Sequence, residues 1–234
     1  MVNGKKYSEK TKLIEKGKMY SPKEAIGLAK QTAFAKFDES IDLAMKLGVD
    51  PKKHAIRGTV MLPGGSGKKK RVAVIVKEDK IKEAEDAGAA VVGGDDLVQK
   101  IQKGFLDFDV LVVTPDMMGA VGKLGRMLGP KGLMPNPKTG TVTQDVARTV
   151  KEFMGGKVEF RMDKTGALHM VLGKVSFDAD ALVKNFSSAL TAIIQMKPSG
   201  LKGNYIESIT LSSSMGPGIK IDHKSTVDKQ SKEI

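Results

Sequence analysis

Pro63-Gly64-Gly65-Ser66-Gly67-Lys68-Lys69-Lys70-Arg71-Val72-Ala73-Val74-Ile75-Val76 is the stretch at which the chain changes architecture. Before it, Ile41, Leu43, Met45 and Leu47 alternate with Asp42, Ala44 and Lys46, the period of a half-buried strand. After it, residues 71–76 form an unbroken apolar run, as expected of a strand covered on both faces of a parallel sheet. A glycine-rich junction between two such styles marks a domain boundary rather than a turn within one sheet.

Working outward from the junction toward the N-terminus, Ser21-Pro22-Lys23-Glu24 has the spacing of a capping box with proline at the first helical position. Ala25, Ile26, Ala29 and Ala33 continue it at helical spacing. Asp50-Pro51 turns the chain, and residues 56–62 read as a second strand, expected antiparallel to residues 41–47. Toward the C-terminus, residues 78–87 and 95–103 read as helices and 89–92 and 110–113 as strands. This is a β-α-β-α-β unit that a helix over 143–154 would complete.

Gly155-Gly156 then closes the unit and the earlier style returns. Residues 157–161 and 167–172 flank Asp163-Lys164-Thr165-Gly166, a hairpin signal. Residues 178–196 read as a long amphipathic helix, 205–213 and 219–221 as strands, and the tail after His223 as polar and frayed. The expected fold class is therefore mixed α/β and α+β in two domains. Residues 1–66 and 159–234 form a discontinuous antiparallel α+β sandwich, into which residues 67–158 are inserted as a three-layer parallel α/β, Rossmann-like domain. Two glycine-rich connections side by side suggest a hinge.

Composition narrows the function. The 234 residues carry 39 Lys+Arg against 27 Asp+Glu, a net charge of +12 that favours a polyanionic partner such as nucleic acid. Residues 1–67 hold 13 basic and 7 acidic side chains, residues 68–158 hold 16 and 12, and residues 159–234 hold 10 and 8, so two thirds of the excess falls on the discontinuous domain. The absence of cysteine removes disulfides, iron–sulfur ligation and thiol nucleophiles, and fits a cytoplasmic protein. His54, His169 and His223 are scattered, which disfavours a histidine metal site or relay. No apolar run approaches the roughly 18–20 residues of a membrane span, and the charged start has no apolar stretch behind it to make a secretory signal.

No motif supplies a catalytic constellation. Gly64 to Lys70 lacks the spacing of a phosphate-binding loop and precedes a strand instead of opening a helix, so it reads as a hinge beside a basic patch. Residues 122–140, GKLGRMLGPKGLMPNPKTG, are dense in glycine, proline and cations and contain no acid. They read either as a surface that approaches phosphate closely or as a long irregular loop kept soluble by its lysines. In Lys36-Phe37-Asp38-Glu39-Ser40, Phe37 shares parity with Ile41 and Leu43 and is expected in the core, unless it contacts a base or ribose with Lys36 and Ser40 reaching phosphate and 2′-hydroxyl. Ser212-Ser213-Ser214-Met215-Gly216-Pro217-Gly218 offers hydroxyls, a thioether and a close-approach backbone, or only a tight turn.

Taken together, these segments resemble the L-one family of bacterial large-subunit ribosomal proteins over nearly the whole chain. The resemblance rests on GRMLGPKGLMPNP (125–137), supported in order by AKFDES (35–40), LGVDP (47–51), RGTVMLP (57–63), VGGDDL (92–97), FDVLVVTPDMMG (108–119), EFRMDKTG (159–166) and SSSMGPG (212–218). It implies a two-domain, non-enzymatic, ribosome-associated cytoplasmic protein without cofactor or metal, monomeric when free of the ribosome. Its implied partners are the stalk region of large-subunit rRNA, exit-site tRNA, whose release the mobile stalk assists, and the leader of its own operon mRNA, which it represses.

The RNA-binding residues implied are Lys36, Phe37 and Ser40, then Arg161, Asp163, Lys164, Thr165 and His169, then Ser212, Ser214, Met215 and Gly216. Where the resemblance implies threonine in some relatives, this chain has Ser40 and a serine run before Met215, which keeps the hydroxyl and loses a methyl. Two competing readings remain at the sequence level: an enzyme binding a nucleotide or phosphorylated metabolite at residues 122–140, and an assembly protein whose charge is incidental.

Overall fold

The capping box forms as its spacing requires: Ser21 Oγ accepts from the Glu24 amide, and Glu24 Oε2 accepts from the Ser21 amide at 3.0 Å. In the computed structural model, which describes residues 4–15, 17–198, 201 and 203–227, this box opens the second helix. The first third of the chain carries α1 (Lys5–Thr11), α2 (Pro22–Thr32), β1 (Ser40–Leu47) and β2 (Arg57–Met61). The middle carries β3 (Val72–Ile75), α3 (Ile81–Asp86), β4 (Val91–Gly93), α4 (Asp95–Gln102), β5 (Val110–Val113), α5 (Met118–Gly122), α6 (Gly125–Leu128) and α7 (Val146–Met154). The last third carries β6 (Lys157–Arg161), β7 (Ala167–Lys174), α8 (Ala179–Gln195), β8 (Ile206–Ser213) and β9 (Ile219–Ile221). Two compact units result: Met1–Gly67 with Val158–Ile234, and Lys68–Lys157.

In the discontinuous unit, β1 lies inside a four-stranded sheet of order β7-β1-β8-β9, antiparallel to both neighbours. Its period-two pattern sends Ile41, Leu43, Met45 and Leu47 into the core beneath α2 and α8. Each such aliphatic side chain contributes about 1.5–3 kcal/mol of burial. Along α8, Leu182, Phe186, Ala189, Leu190 and Ile193 form the matching apolar stripe. Asn185, on that stripe, is buried yet satisfied: its side-chain N–H donates to the Leu172 carbonyl at 2.7 Å and the Gly65 carbonyl at 3.1 Å. Its oxygen accepts from the Gly64 amide at 2.8 Å. The first two glycines of the junction are therefore held by α8.

Two expectations about pairing fail. β2 does not pair with β1; it forms a separate two-stranded sheet with β6, joined also by a 2.7 Å Arg57–Glu159 ion pair. Nor do β6 and β7 form a hairpin ladder. The Asp163–Gly166 turn is present, but after the single bridge Met162–Leu168 the two strands run into different sheets. Alternating patterns identify strands and their faces, whereas the partner is chosen by tertiary packing. The tail after His223 begins as a helical turn over 223–227, and residues 228–234 lie outside the described residues.

The continuous unit is a parallel sheet of order β4-β3-β5. The unbroken run of residues 72–76 serves both faces. Ala73 and Ile75 pack with Leu97, Ile101 and Leu124, while Val72, Val74 and Val76 pack with Ala84, Val146 and Phe153. Residues 122–140 are mostly turn and coil around the short helix α6, but they are packed onto the core. Leu124 and Leu128 are buried, Leu133 and Met134 pack against the same core, and Asn136 caps a 3-10 turn at Pro137–Thr139. Among the described residues no helix is long and apolar enough to cross a membrane.

Candidate nucleic-acid interface

The residue that organises the site is Glu39, which is buried. Its Oε1 accepts from the Phe34 amide at 2.8 Å and the Ala35 amide at 2.7 Å, and its Oε2 accepts from the Met215 amide at 3.0 Å. Burial by itself would push this carboxyl up. The amides of Ala35, Met215 and Phe34 outweigh it and hold the group below the usual carboxylate range. The Ser213 hydroxyl adds a favourable interaction, at a geometry short of a hydrogen bond. One carboxylate thus ties the connection from α2 to β1 to the loop after β8, segments 176 residues apart in the chain.

Ser40 and Ser214 complete the tie. The Ser40 amide donates to Ser214 Oγ at 3.0 Å, and the Ser214 amide donates to the Ser40 carbonyl at 3.0 Å. Lys174, opposite Ser40 in the β1–β7 register, donates to Ser40 Oγ at 2.9 Å, leaving that hydroxyl a proton to donate outward. Asp38 accepts from the amide and hydroxyl of Ser176. Above this frame Phe37 is 58% exposed and Met215 53% exposed, with Lys36 exposed beside Phe37. The core placement expected of Phe37 is wrong: β1 begins only at Ser40 and residues 36–37 bend outward, so the inward position before Ile41 falls to Glu39. Gly216 packs close to Ser213: a Cβ there would meet the Ser213 hydroxyl, which would have to rotate away.

The twelve candidate residues do not form one cluster. Lys36, Phe37, Ser40, Ser214, Met215 and Gly216 gather at the start of β1, with Ser212 next along β8, opposite Asp42. Burial pushes the Asp42 carboxyl up from its ordinary range, against the pull of Lys174 and His169. Arg161, Asp163, Lys164 and Thr165 lie at the far end of the sheet, by the pair Lys46–Ala167. That is six residues further along β1, about 20 Å at ~3.3 Å per residue. His169, paired with Ala44, is exposed between them.

Asp163 serves the turn itself: its Oδ1 accepts from Thr165 Oγ1 at 2.6 Å and from the amides of Thr165 and Ala167. The Thr165 hydroxyl and then the Ala167 amide hold its carboxyl below the ordinary range. Lys46 Nζ donates to the Thr165 carbonyl on the same turn. Sequence reasoning passed over Glu39 and Lys174. Glu39 stands inside a quoted motif, and its parity with Ile41 marks an acid aimed inward. Lys174 carries no such signal.

Residues 29–217 match the sequence profile of the Ribosomal protein L1p/L10e family. The chain is also similar to the large ribosomal subunit protein uL1 of Thermobifida fusca (strain YX), with 52% identity over 228 residues that cover 97% of each chain. The matched region includes both ends of the Glu39 tie, from the connection before β1 to the loop after β8. The nested architecture, the tied loops and this extent of identity place the chain in the Ribosomal protein L1p/L10e family.

Proposed function

We propose that this large-subunit ribosomal protein grips the stalk region of rRNA with the surface built on Glu39. The observation that carries this reading is that the buried Glu39 carboxylate joins the Phe34 and Ala35 amides to the Met215 amide, with the Ser40–Ser214 bonds beside it, and so ties the segment that bears Phe37 to the loop that bears Met215. A preformed surface loses little conformational entropy on binding. The Ser40 and Ser214 hydroxyls and the backbone at Gly216 bond ribose 2′-hydroxyls, while Phe37 and Met215 exclude water from those bonds. Lys36 and Lys174 add phosphate attraction.

Arg161, Lys164 and His169 meet a separate stretch of the RNA, because the sheet length keeps them from the same nucleotides. On the ribosome the complex acts as the mobile stalk that assists release of exit-site tRNA. Free of it, the monomeric protein represses its own operon by binding the mRNA leader through the same surface, so that rRNA and leader compete.

Binding of the full chain to a stalk-rRNA fragment, beside an unrelated hairpin of equal length and at two salt concentrations, tests the reading. Selective binding that survives the higher salt is expected. Met215→Asp lowers the affinity at least about 100-fold with thermal unfolding unchanged, because a carboxylate at an apolar contact faces phosphate. Undiminished binding by that variant places recognition elsewhere.

A further inference from the structure

The discontinuous unit holds a cavity that the Glu39 surface does not use. Its volume is about 510 Å³, within the range of small-molecule sites. Three elements wall it: the end of α8 with Ile194 and Lys197, the entry to β8 with Asn204 and Tyr205, and the helical turn after β9 with His223 and Lys224. Strand β8 opens at Ile206, opposite Leu47, so the cavity lies at the end of β1 away from Ser40. Seven residues of β1 separate the two ends, about 23 Å at ~3.3 Å per residue.

The wall is chemically one-sided. Lys197 and Lys224 bring two ammonium groups, neither of them in an ion pair among the described residues, and His223 and Asn204 bring further donors. No carboxylate lines the cavity among the described residues. Asp222, next to His223 in the chain, serves its own turn, where it accepts from the Lys224 amide at 3.2 Å. Tyr205 is 7% exposed, and its buried hydroxyl has no hydrogen-bond partner. Burial pushes its ionisation up to about 12, so the group keeps its proton. Buried hydroxyls are nearly always paired, and an unpaired one in a cavity wall calls for an acceptor from outside the chain.

From this cavity we infer that the discontinuous unit binds a small organic phosphate, a phosphomonoester carried on an apolar body. The two ammonium groups match the charge of about −2 on a phosphate monoester, where a carboxylate would supply half of it. His223 and Asn204 donate to its oxygens, and the Tyr205 hydroxyl gains the acceptor it lacks. Ile194 and Val227 meet the apolar body, whereas inorganic phosphate alone would leave most of the volume empty. The inference goes beyond RNA recognition and does not depend on the Glu39 site.

Calorimetric titration of the full chain with phenyl phosphate tests it, beside benzoate, phenol and inorganic phosphate. Phenyl phosphate is expected to bind at least about 10-fold more tightly than each of the three, since it alone meets both the cations and the apolar wall. Equal binding of benzoate or of inorganic phosphate overturns the assigned ligand class. Lys197→Gln with Lys224→Gln weakens phenyl phosphate at least about 10-fold, while Lys23→Gln with Lys53→Gln, exposed elsewhere on the same unit, changes it less than about 2-fold. Equal losses in the two double variants overturn the inference in favour of generic charge.

Tyr205→Phe weakens phenyl phosphate about 5-fold and leaves thermal unfolding of the ligand-free protein unlowered, because the hydroxyl removed has no partner to lose. A lower unfolding temperature with unchanged affinity would make the hydroxyl structural and overturn its role in the site. The titration is repeated with the protein saturated by the stalk-rRNA fragment, and the same affinity is expected. Displacement of phenyl phosphate by that fragment gives the cations to RNA and overturns the inference. Loss of stalk selectivity in the wild type is a different failure, that of the Glu39 surface, and leaves phenyl phosphate binding intact.

Discussion

Glu39 occupies a core position of the chain with an acid, which is costly unless each carboxylate oxygen is filled. Here the amides of Phe34, Ala35 and Met215 fill them. Glu39→Gln turns an amide N–H₂ toward at least one of those donors and is expected to cost about 1–3 kcal/mol, measured by urea unfolding at neutral pH. Because the folded carboxyl titrates below its ordinary value, its stabilisation is complete above the unfolded pKa of about 4.3 and is lost as pH falls through the lower folded value. The gap between wild type and Glu39→Gln therefore narrows as pH falls below about 4.3, and a constant gap would remove the carboxylate from this role. Stalk-RNA affinity is expected to fall with the same substitution at neutral pH, because the Phe37 and Met215 segments keep only the Ser40–Ser214 bonds and part of the Glu39 tie. Lys36, Phe37, Ser40 and Met215 could be named from the sequence as candidates for RNA contact. That Phe37 faces solvent and Glu39 faces inward was not, since both share one parity and only the observed start of β1 separates them.

At the scale of elements, β1 and α8 were legible in full because each carries a complete period: alternation over eight residues and an apolar stripe over seventeen. The strands β2 and β6 were legible as strands but not as partners, because about 100 residues separate them and either could have satisfied another edge. Asn185 is the point at which α8 holds its surroundings in register. Asn185→Ala strands the Gly64 amide and the carbonyls of Gly65 and Leu172. The expected loss is about 2–4 kcal/mol in the unfolding transition of the discontinuous unit, seen by amide exchange in β1 and β7. Residues of β3 and β5 should keep their protection, because their hydrogen bonds lie inside the other unit. Equal loss in both sets of strands would contradict the division of stability.

For the whole molecule, the discontinuous unit needs both ends of the chain: β1 has β7 on one side and β8 on the other, each more than 110 residues downstream. A chain ending at residue 157 is expected to retain protected amides in β3, β4 and β5, to leave β1 unprotected, and to lose selective RNA binding. Protection of β1 in that fragment, read by hydrogen exchange, would refute the dependence. Periodicity, glycine junctions and charge counts, all local or additive properties, were sufficient to determine the two domain styles, their nesting, the basic character of the chain and the absence of thiol chemistry. The pairing of β2 with β6, the separation of the 163–166 turn from the Met215 loop and the convergence of three amides on Glu39 were decided only by tertiary structure. Each depends on which distant backbone groups meet in space, and that is settled by packing the whole core rather than by any segment's own preference.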